Sequence, residues 1–292
     1  MKRKAFLGGL VGLFLLTGLC AGVYLLYDRG RPAPIPTKQT LYEGVIYRRV
    51  VRYFPRPMIA HVLIVDTKGK GIEFLITPSD SESKTPLKAR TTSQFLDEFN
   101  LQVAINGGAF SPWWSRSPAD YYPHVGDPIA PFGLTASQGK VYWTTAETEG
   151  VPPALFISRK NVLSFNNKPG NVYSAISGDR MIVVKGEIAA DLDDQELDPR
   201  TALGINRNGR YLYLIVVDGR QPFYSEGATF TELAQLLIDQ GAYMAMSLDG
   251  GGSSTMVMEE DDGRPLLLNS PIDRYIPGTE RPVGTHLGIF VK

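Results

Sequence analysis

Three short apolar runs in this chain end the same way, each in a polar residue followed by glycine. Val103-Ala104-Ile105 leads into Asn106-Gly107-Gly108, and Leu214-Ile215-Val216-Val217 leads into Asp218-Gly219-Arg220. Met244-Ala245-Met246-Ser247-Leu248 leads into Asp249-Gly250-Gly251-Gly252-Ser253-Ser254-Thr255. Short apolar runs bounded by turn residues read as buried strands. Such strands fix the position of whatever ends them, and the glycine lets the backbone turn or approach another group closely. For one such end, a strand-terminating turn is the simplest reading, because Asn-Gly and Asp-Gly are common turn dipeptides. The third end goes further. Its three glycines lose much backbone entropy on folding, and with the hydroxyls that follow they can present N–H and O–H groups to an anion. The loop lacks the lysine of a nucleotide P-loop, which excludes that assignment.

The rest of the body is strand-rich. Val45-Ile46-Tyr47, Val50-Val51, Tyr53-Phe54, Met58 to Val65, Ile72 to Thr77 and Leu101 to Ile105 are rich in β-branched and aromatic residues. Thr91 or Thr92 caps a short helix running to Phe99, and Thr229 with Glu232 forms a capping box for a helix over Phe230 to Gln240 stopped by Gly241. Asp262-Gly263 between Met256-Val257-Met258 and Leu266-Leu267-Leu268 is a hairpin signal. Ser111 to Pro131 reads as a long irregular loop. The expected class is α+β, with a mixed, mostly antiparallel sheet and few helices, preceded by one N-terminal transmembrane helix.

That last element comes from the charge pattern. The chain has 30 basic and 30 acidic residues, yet Lys2, Arg3 and Lys4 precede a stretch, residues 5–27, with no charge. A stretch of that length can span a bilayer, and the basic head favours keeping its amino end in the cytoplasm. The expected organisation is a basic cytoplasmic head (1–4), a transmembrane anchor or signal segment (5–27), a proline-rich linker (28–40) and an exported body (41–292). The body is then periplasmic or extracellular, held at the cell membrane by a single pass, or secreted if residues 1–27 are cleaved. Without the head, acidic residues outnumber basic ones, so the body has no basic footprint for nucleic acid. Cys20 is the only cysteine and lies in the anchor, which excludes a disulfide framework.

Asp218 and Asp249 end apolar strands, where desolvation raises a carboxyl pKa and suits a general acid. Paired carboxylates flanking a sugar–oxygen bond are the usual equipment of glycoside cleavage. His61, His124 and His286 are scattered and read as structural histidines. Asp191, Asp193, Asp194, Glu196 and Asp198 lack the glycine of a calcium loop and read as a solvated acidic segment. Trp113, Trp114, Tyr121 and Tyr122 fit either stacking on sugar rings or a local core. No cofactor or metal ligand set is evident, and a divalent cation stays open.

Ile105-Asn106-Gly107-Gly108, Arg200-Thr201-Ala202, Asp218-Gly219-Arg220 and Leu248 to Thr255 occur in this order. The series resembles the motifs of the phosphodiester glycosidase family. The segment from Ser225 to Ala234 and the tail Asn269 to Asp273, then Glu280-Arg281-Pro282-Val283, are similar to the family as well. The resemblance covers about residues 100–292 and is weak before them. Ala109-Phe110 departs from the pattern, which more often has two aromatics there, and puts the sugar-facing wall in doubt. The family's animal member is cysteine-rich, so its disulfide-linked features do not carry over.

The resemblance implies a hydrolase that removes an N-acetylglucosamine-type sugar from a phosphodiester, and with the export expected from residues 1–27 the substrate is placed in a surface or extracellular glycan. Asp249 is its first candidate carboxylate, Asp218 the second and Glu280 the reserve. Arg200, Arg220 and Arg281 supply guanidinium forks for phosphate. Asn106, Gly107, Gly108 and Thr201, with Gly250, Gly251, Gly252, Ser253, Ser254 and Thr255, are candidates for binding the sugar or phosphate. The competing readings are a non-catalytic glycan- or phosphosugar-binding module and an accessory protein of exopolysaccharide assembly.

Overall fold

The computed structural model describes residues 2–117, 119–144 and 151–292, with residues 2–11, 13 and 28 described by backbone alone. Helix α1, Lys2–Gly30, runs through the whole uncharged segment. Among the described residues no helix is long and apolar enough to cross a membrane. The side chains of the basic head and of the first part of segment 5–27 lie outside the described residues, so the expected anchor gains a helix but no support for a spanning role. Arg31 to Pro36 is irregular, and the first strand, Thr37–Tyr42, begins inside the stretch expected as linker.

Two antiparallel sheets face each other. The larger has eight strands in the order Thr37–Tyr42, Val45–Arg52, Met58–Asp66, Tyr211–Val217, Arg200–Ile205, Met244–Ser247, Met181–Val184 and Glu187–Ile188. The second has five, in the order Pro265–Leu267, Met256–Glu259, Val103–Asn106, His286–Val291 and Ile72–Ile76. A further five-stranded sheet closes one side of the core, with Leu155 and Ile176 packed inward.

Period-2 alternation sorts the large sheet's side chains. Leu203, Leu214, Val216 and Met246 pack inward against Val103, Ile105, Met256 and Leu287 of the second sheet. Val62, Ile215 and Val217 point the other way, onto Leu233, Leu236 and Leu237 of helix α3, Phe230–Gln240. Helix α2, Thr92–Glu98, covers the outer face of the second sheet with Phe95 and Leu96. Each buried leucine of this kind contributes about 1.5–3 kcal/mol. Helix α3 carries the expected capping box of Thr229 with Glu232, and α2 is capped by Thr91, which forms a capping box with Gln94 as well; Gly241 closes α3 in the left-handed conformation at φ 105°.

The hairpin at Asp262-Gly263 forms, with Gly263 at φ 82°. Tyr53 and Phe54 lie beyond their strand, which stops at Arg52 ahead of Pro55 and Pro57, and both are exposed. The segment expected as an irregular loop instead contains a two-stranded ribbon, Trp114–Ser117 paired with Asp120–Tyr122. Trp114 stacks on Tyr122 across it at 4.7 Å, the cross-strand aromatic pairing that lets so short a ribbon hold.

Candidate active site

The three polar strand ends meet. Arg200 pairs with Val217 and Ala202 with Ser247, so these ends are level in the large sheet. The Asp249 N–H donates to Gly107 O (3.0 Å), which joins that edge to the second sheet. Asn106 is the clamp. Its Oδ1 accepts from the Thr201 hydroxyl (2.8 Å) and the Thr255 N–H (3.1 Å), and its Nδ2 donates to the carbonyls of Asp249 (2.8 Å) and Gly107 (3.3 Å). Both lone pairs and both N–H groups of the amide are thereby used, and Asn106 and Thr201 are sealed from solvent. Both therefore position the motifs and have no group left to meet a sugar. Gly107 serves the same junction by close approach: a Cβ there would fall 2.3 Å from Thr285 Oγ1.

Above this junction opens a cleft of about 770 Å³. Of the candidates read from sequence, Asp249, Gly250, Gly251, Arg200, Arg220 and Arg281 line it. Gly107, Gly108, Gly252, Ser253, Ser254 and Thr255 are buried beneath it. Gly252 leaves room for an arginine, since a Cβ there would meet Arg281 Nη2 at 2.5 Å.

Asp218 and Glu280 are elsewhere. Asp218 is fully buried between the sheets, where its Oδ1 accepts from the Ser270 N–H (2.8 Å) and Asn269 Nδ2 (3.1 Å). Its Oδ2 lies 3.0 Å from His61 Nε2, and His61 Nδ1 lies 2.8 Å from the Tyr47 hydroxyl. Glu280 accepts the Ser93 N–H at 3.0 Å and so caps the first turn of α2. Neither carboxylate lines the cleft.

Electrostatics separates the cleft groups. Burial raises the Asp249 carboxyl above the ordinary carboxylate range, and the negative charge of Asp179 adds to the rise. The Ser253 hydroxyl, the Arg281 guanidinium and the Gly250 N–H only offset it. Among the arginines, Arg220 is held by Asp198 in a two-bond pair (2.7 and 3.0 Å), and Arg281 and Arg274 share buried Asp273 (2.8 and 3.2 Å). Arg180 pairs with Asp179 at 2.7 Å. Arg200 differs: its guanidinium donates to the carbonyls of Ala228 and Glu196, both at 3.1 Å, and lies 4.0 Å from the centre of the Phe230 ring. Burial lowers its pKa, with the charge of Arg180 adding to the fall and those of Asp198, Glu196 and Asp179 only partly offsetting it. Trp113 lies beneath Arg281 (4.9 Å) and lines the cleft, while Tyr121 lies beneath Arg274 (4.1 Å) and supports that arginine without lining the cleft itself.

Sequence reasoning missed several cleft groups. Asp179 and Arg180 follow the strand Ser174–Ser177 through Gly178, the same strand-into-glycine design with the order of acid and glycine reversed. Asp198, taken as part of a solvated segment, is the half-buried partner of Arg220. Asp193 and Glu196 are exposed, as expected of that segment, but they too line the cleft. His286 is fully buried, stacked on Phe95 at 4.6 Å, and burial drives its pKa down to about 3, which keeps the ring neutral. Among the described residues no three His, Cys, Asp or Glu side chains are grouped to hold a metal ion.

The sequence model of the phosphodiester glycosidase family matches residues 99–290, which contain the junction, the clamp and every candidate placed in the cleft. The chain belongs to this family. No curated protein sequence matches it. The fold is shared with solved structures of low identity. The zebrafish N-acetylglucosamine-1-phosphodiester α-N-acetylglucosaminidase catalytic domain, auto-inhibited by its pro-peptide, superposes with a TM-score of 0.58 at 21% identity, covering 90% of this chain and 92% of that one. A hypothetical protein from Synechocystis superposes with a TM-score of 0.59 at 15% identity, covering 89% of this chain. The chain spans 64% of the Synechocystis protein. The family model starts at the end of α2, so the outer strands of the large sheet up to Asp66 lie before the matched region.

Proposed function

We propose that this protein hydrolyses a sugar-1-phosphodiester, breaking the bond between the anomeric carbon and the phosphate oxygen. The observation that carries this reading is the presence of two unusual groups in the lining of one cleft. Asp249 holds a carboxyl raised by burial, and Arg200, lining the same cleft, is a desolvated guanidinium that forms no ion pair with a carboxylate among the described residues. A guanidinium not tied up by a carboxylate can take the single negative charge of a phosphodiester, and a carboxyl whose proton affinity is raised suits donation to the departing oxygen. Arg220 and Arg281 have carboxylate partners and contribute shape and background potential. Trp113, half exposed over Arg281, offers an apolar face to the sugar ring. The zebrafish neighbour's name supports an N-acetylglucosamine-type sugar, and a surface or extracellular glycan is the source that goes with the export proposed below.

The test uses the full chain with the methyl phosphodiesters of N-acetylglucosamine 1-phosphate, glucose 1-phosphate and galactose 1-phosphate, following free reducing sugar. Release from at least one is expected. Binding of all three without release would assign the cleft to recognition instead of catalysis.

Export of the body is part of the same proposal. It is supported by the basic head and the uncharged segment 5–27 of the sequence. Fractionation of cells making the full chain tests it: recovery with membranes means a retained anchor, recovery outside the cell a cleaved signal, and recovery in the cytosol defeats export.

A further inference from the structure

We propose that Asp179 is the second catalytic carboxylate of the cleft, the base that takes a proton from the attacking water while Asp249 supplies one to the departing phosphate oxygen. The inference rests on the glycosidase reading above.

Asp179 is built into the same edge as Asp249. Its N–H donates to Ser247 O (2.9 Å), and the Ser247 N–H donates to Arg180 O (2.9 Å). The strand that follows, Met181–Val184, pairs with Met244–Ser247, Met181 opposite Met246. Two adjacent antiparallel strands thus place Asp179 and Asp249 at one sheet edge, both facing the cleft. The Asp179 carboxylate is fixed by Arg180 yet remains about half exposed to the cavity, at 45%. Asp249 and Arg200 both feel its charge. The other cleft acids are less suited. Asp198 is occupied by two hydrogen bonds from Arg220, while Asp193 and Glu196 lie on an exposed segment. Asp218 is buried away from the cleft.

The step balances. The bond from the anomeric carbon to the phosphate oxygen breaks, and its electron pair stays on that oxygen, which receives the Asp249 proton. The water oxygen bonds to the anomeric carbon and loses a proton to Asp179. Free sugar and a phosphomonoester leave, and proton exchange with solvent restores both carboxyls. A division of labour between two carboxyls in different settings is the general logic of such sites.

The test is Asp179→Asn in the full chain, which preserves side-chain size and a hydrogen bond to Arg180. A general-base role predicts a fall in kcat of about 10²–10⁴-fold with KM nearly unchanged. The acidic limb of the kcat profile should disappear, with Arg180, Arg200, Arg281 and Asp249 still in place around the site. Azide, which attacks without needing a base, should restore turnover as the glycosyl azide. Asp179→Glu, which retains a carboxylate, should recover part of kcat and the acidic limb. Wild-type kcat in Asp179→Asn overturns the proposal, as does lost activity without azide rescue. An Asp179→Glu variant no better than Asp179→Asn also overturns it. A wild-type chain that releases no sugar from any phosphodiester defeats the underlying glycosidase reading as well.

Discussion

Asp218 and Asp249 look alike in sequence, each an aspartate between an apolar strand and glycine, yet they occupy opposite kinds of environment. The cause is parity. Along Tyr211–Val217, residues 212, 214 and 216 face the core between the sheets, and Asp218 continues that series inward. Along Met244–Ser247, residue 246 faces the core and Leu248 follows it, so Asp249 is the next residue on the other side and reaches the cleft. An inward aspartate survives only if fully paired, and Asp218 is, through Ser270, Asn269 and His61. The outward aspartate is left with its proton affinity raised. One residue of register therefore separates a structural keystone from a reactive group.

The sharpest way to break this contrast is to neutralise each aspartate. Asp249→Asn is expected to lower kcat/KM by about 10³-fold or more, read as sugar release. The same variant should be more stable than wild type at neutral pH. The folded-state carboxyl pKa is raised, so its contribution to stability is fully present below the ordinary carboxylate range and is lost as pH rises through the raised value. Asn carries no such dependence, and the advantage should vanish in acid; denaturant midpoints across pH check it. Asp218→Ala should do the reverse. Removing one partner of a buried pair costs about 3–5 kcal/mol, visible as a lower denaturant midpoint. The remaining folded molecules should turn over near the wild-type rate. A stable but inactive Asp218→Ala would return Asp218 to the site.

Parity was available in the sequence, and counting it along both strands would have sorted the two aspartates. Helices α2 and α3 were legible because capping residues and helical spacing are local signals. The clamp role of Asn106 was not, because its partners Thr201, Thr255 and Asp249 are 95 residues or more away in the chain. Arg200 could be read as a cation but not as the cleft arginine that forms no ion pair among the described residues, since that depends on which arginines Asp198, Asp179 and Asp273 engage. The pair Asp179–Arg180 was overlooked because its glycine precedes the acid.

That charge pattern gives the next prediction. Arg200→Ala should raise KM for a sugar-1-phosphodiester by about 10–100-fold, the value of one or two charge-assisted hydrogen bonds, with a smaller change in kcat. Arg200→Lys should not restore it, because an ammonium lacks the planar fork and the flat face that rests on Phe230. Equal KM in all three proteins would mean that phosphate is bound elsewhere in the cleft.

The smallest effect is expected at Glu280, the acid that sequence order placed beside Arg281. Its carboxylate caps α2 on the far side of the second sheet, and burial raises its pKa despite the bond from Ser93. Glu280→Gln keeps an acceptor for the Ser93 N–H and removes a partly desolvated charge, so stability should change by no more than about 1 kcal/mol. Sugar release should stay at the wild-type rate. Because the raised pKa makes the native carboxylate less favourable as pH rises, any difference between the two proteins should favour Gln at neutral pH and fade in acid. A large loss of activity in Glu280→Gln without a matching loss of stability would show that α2 transmits to the cleft through Arg281, and the separation between structural and reactive carboxylates drawn from Asp218 and Asp249 would not extend to the third.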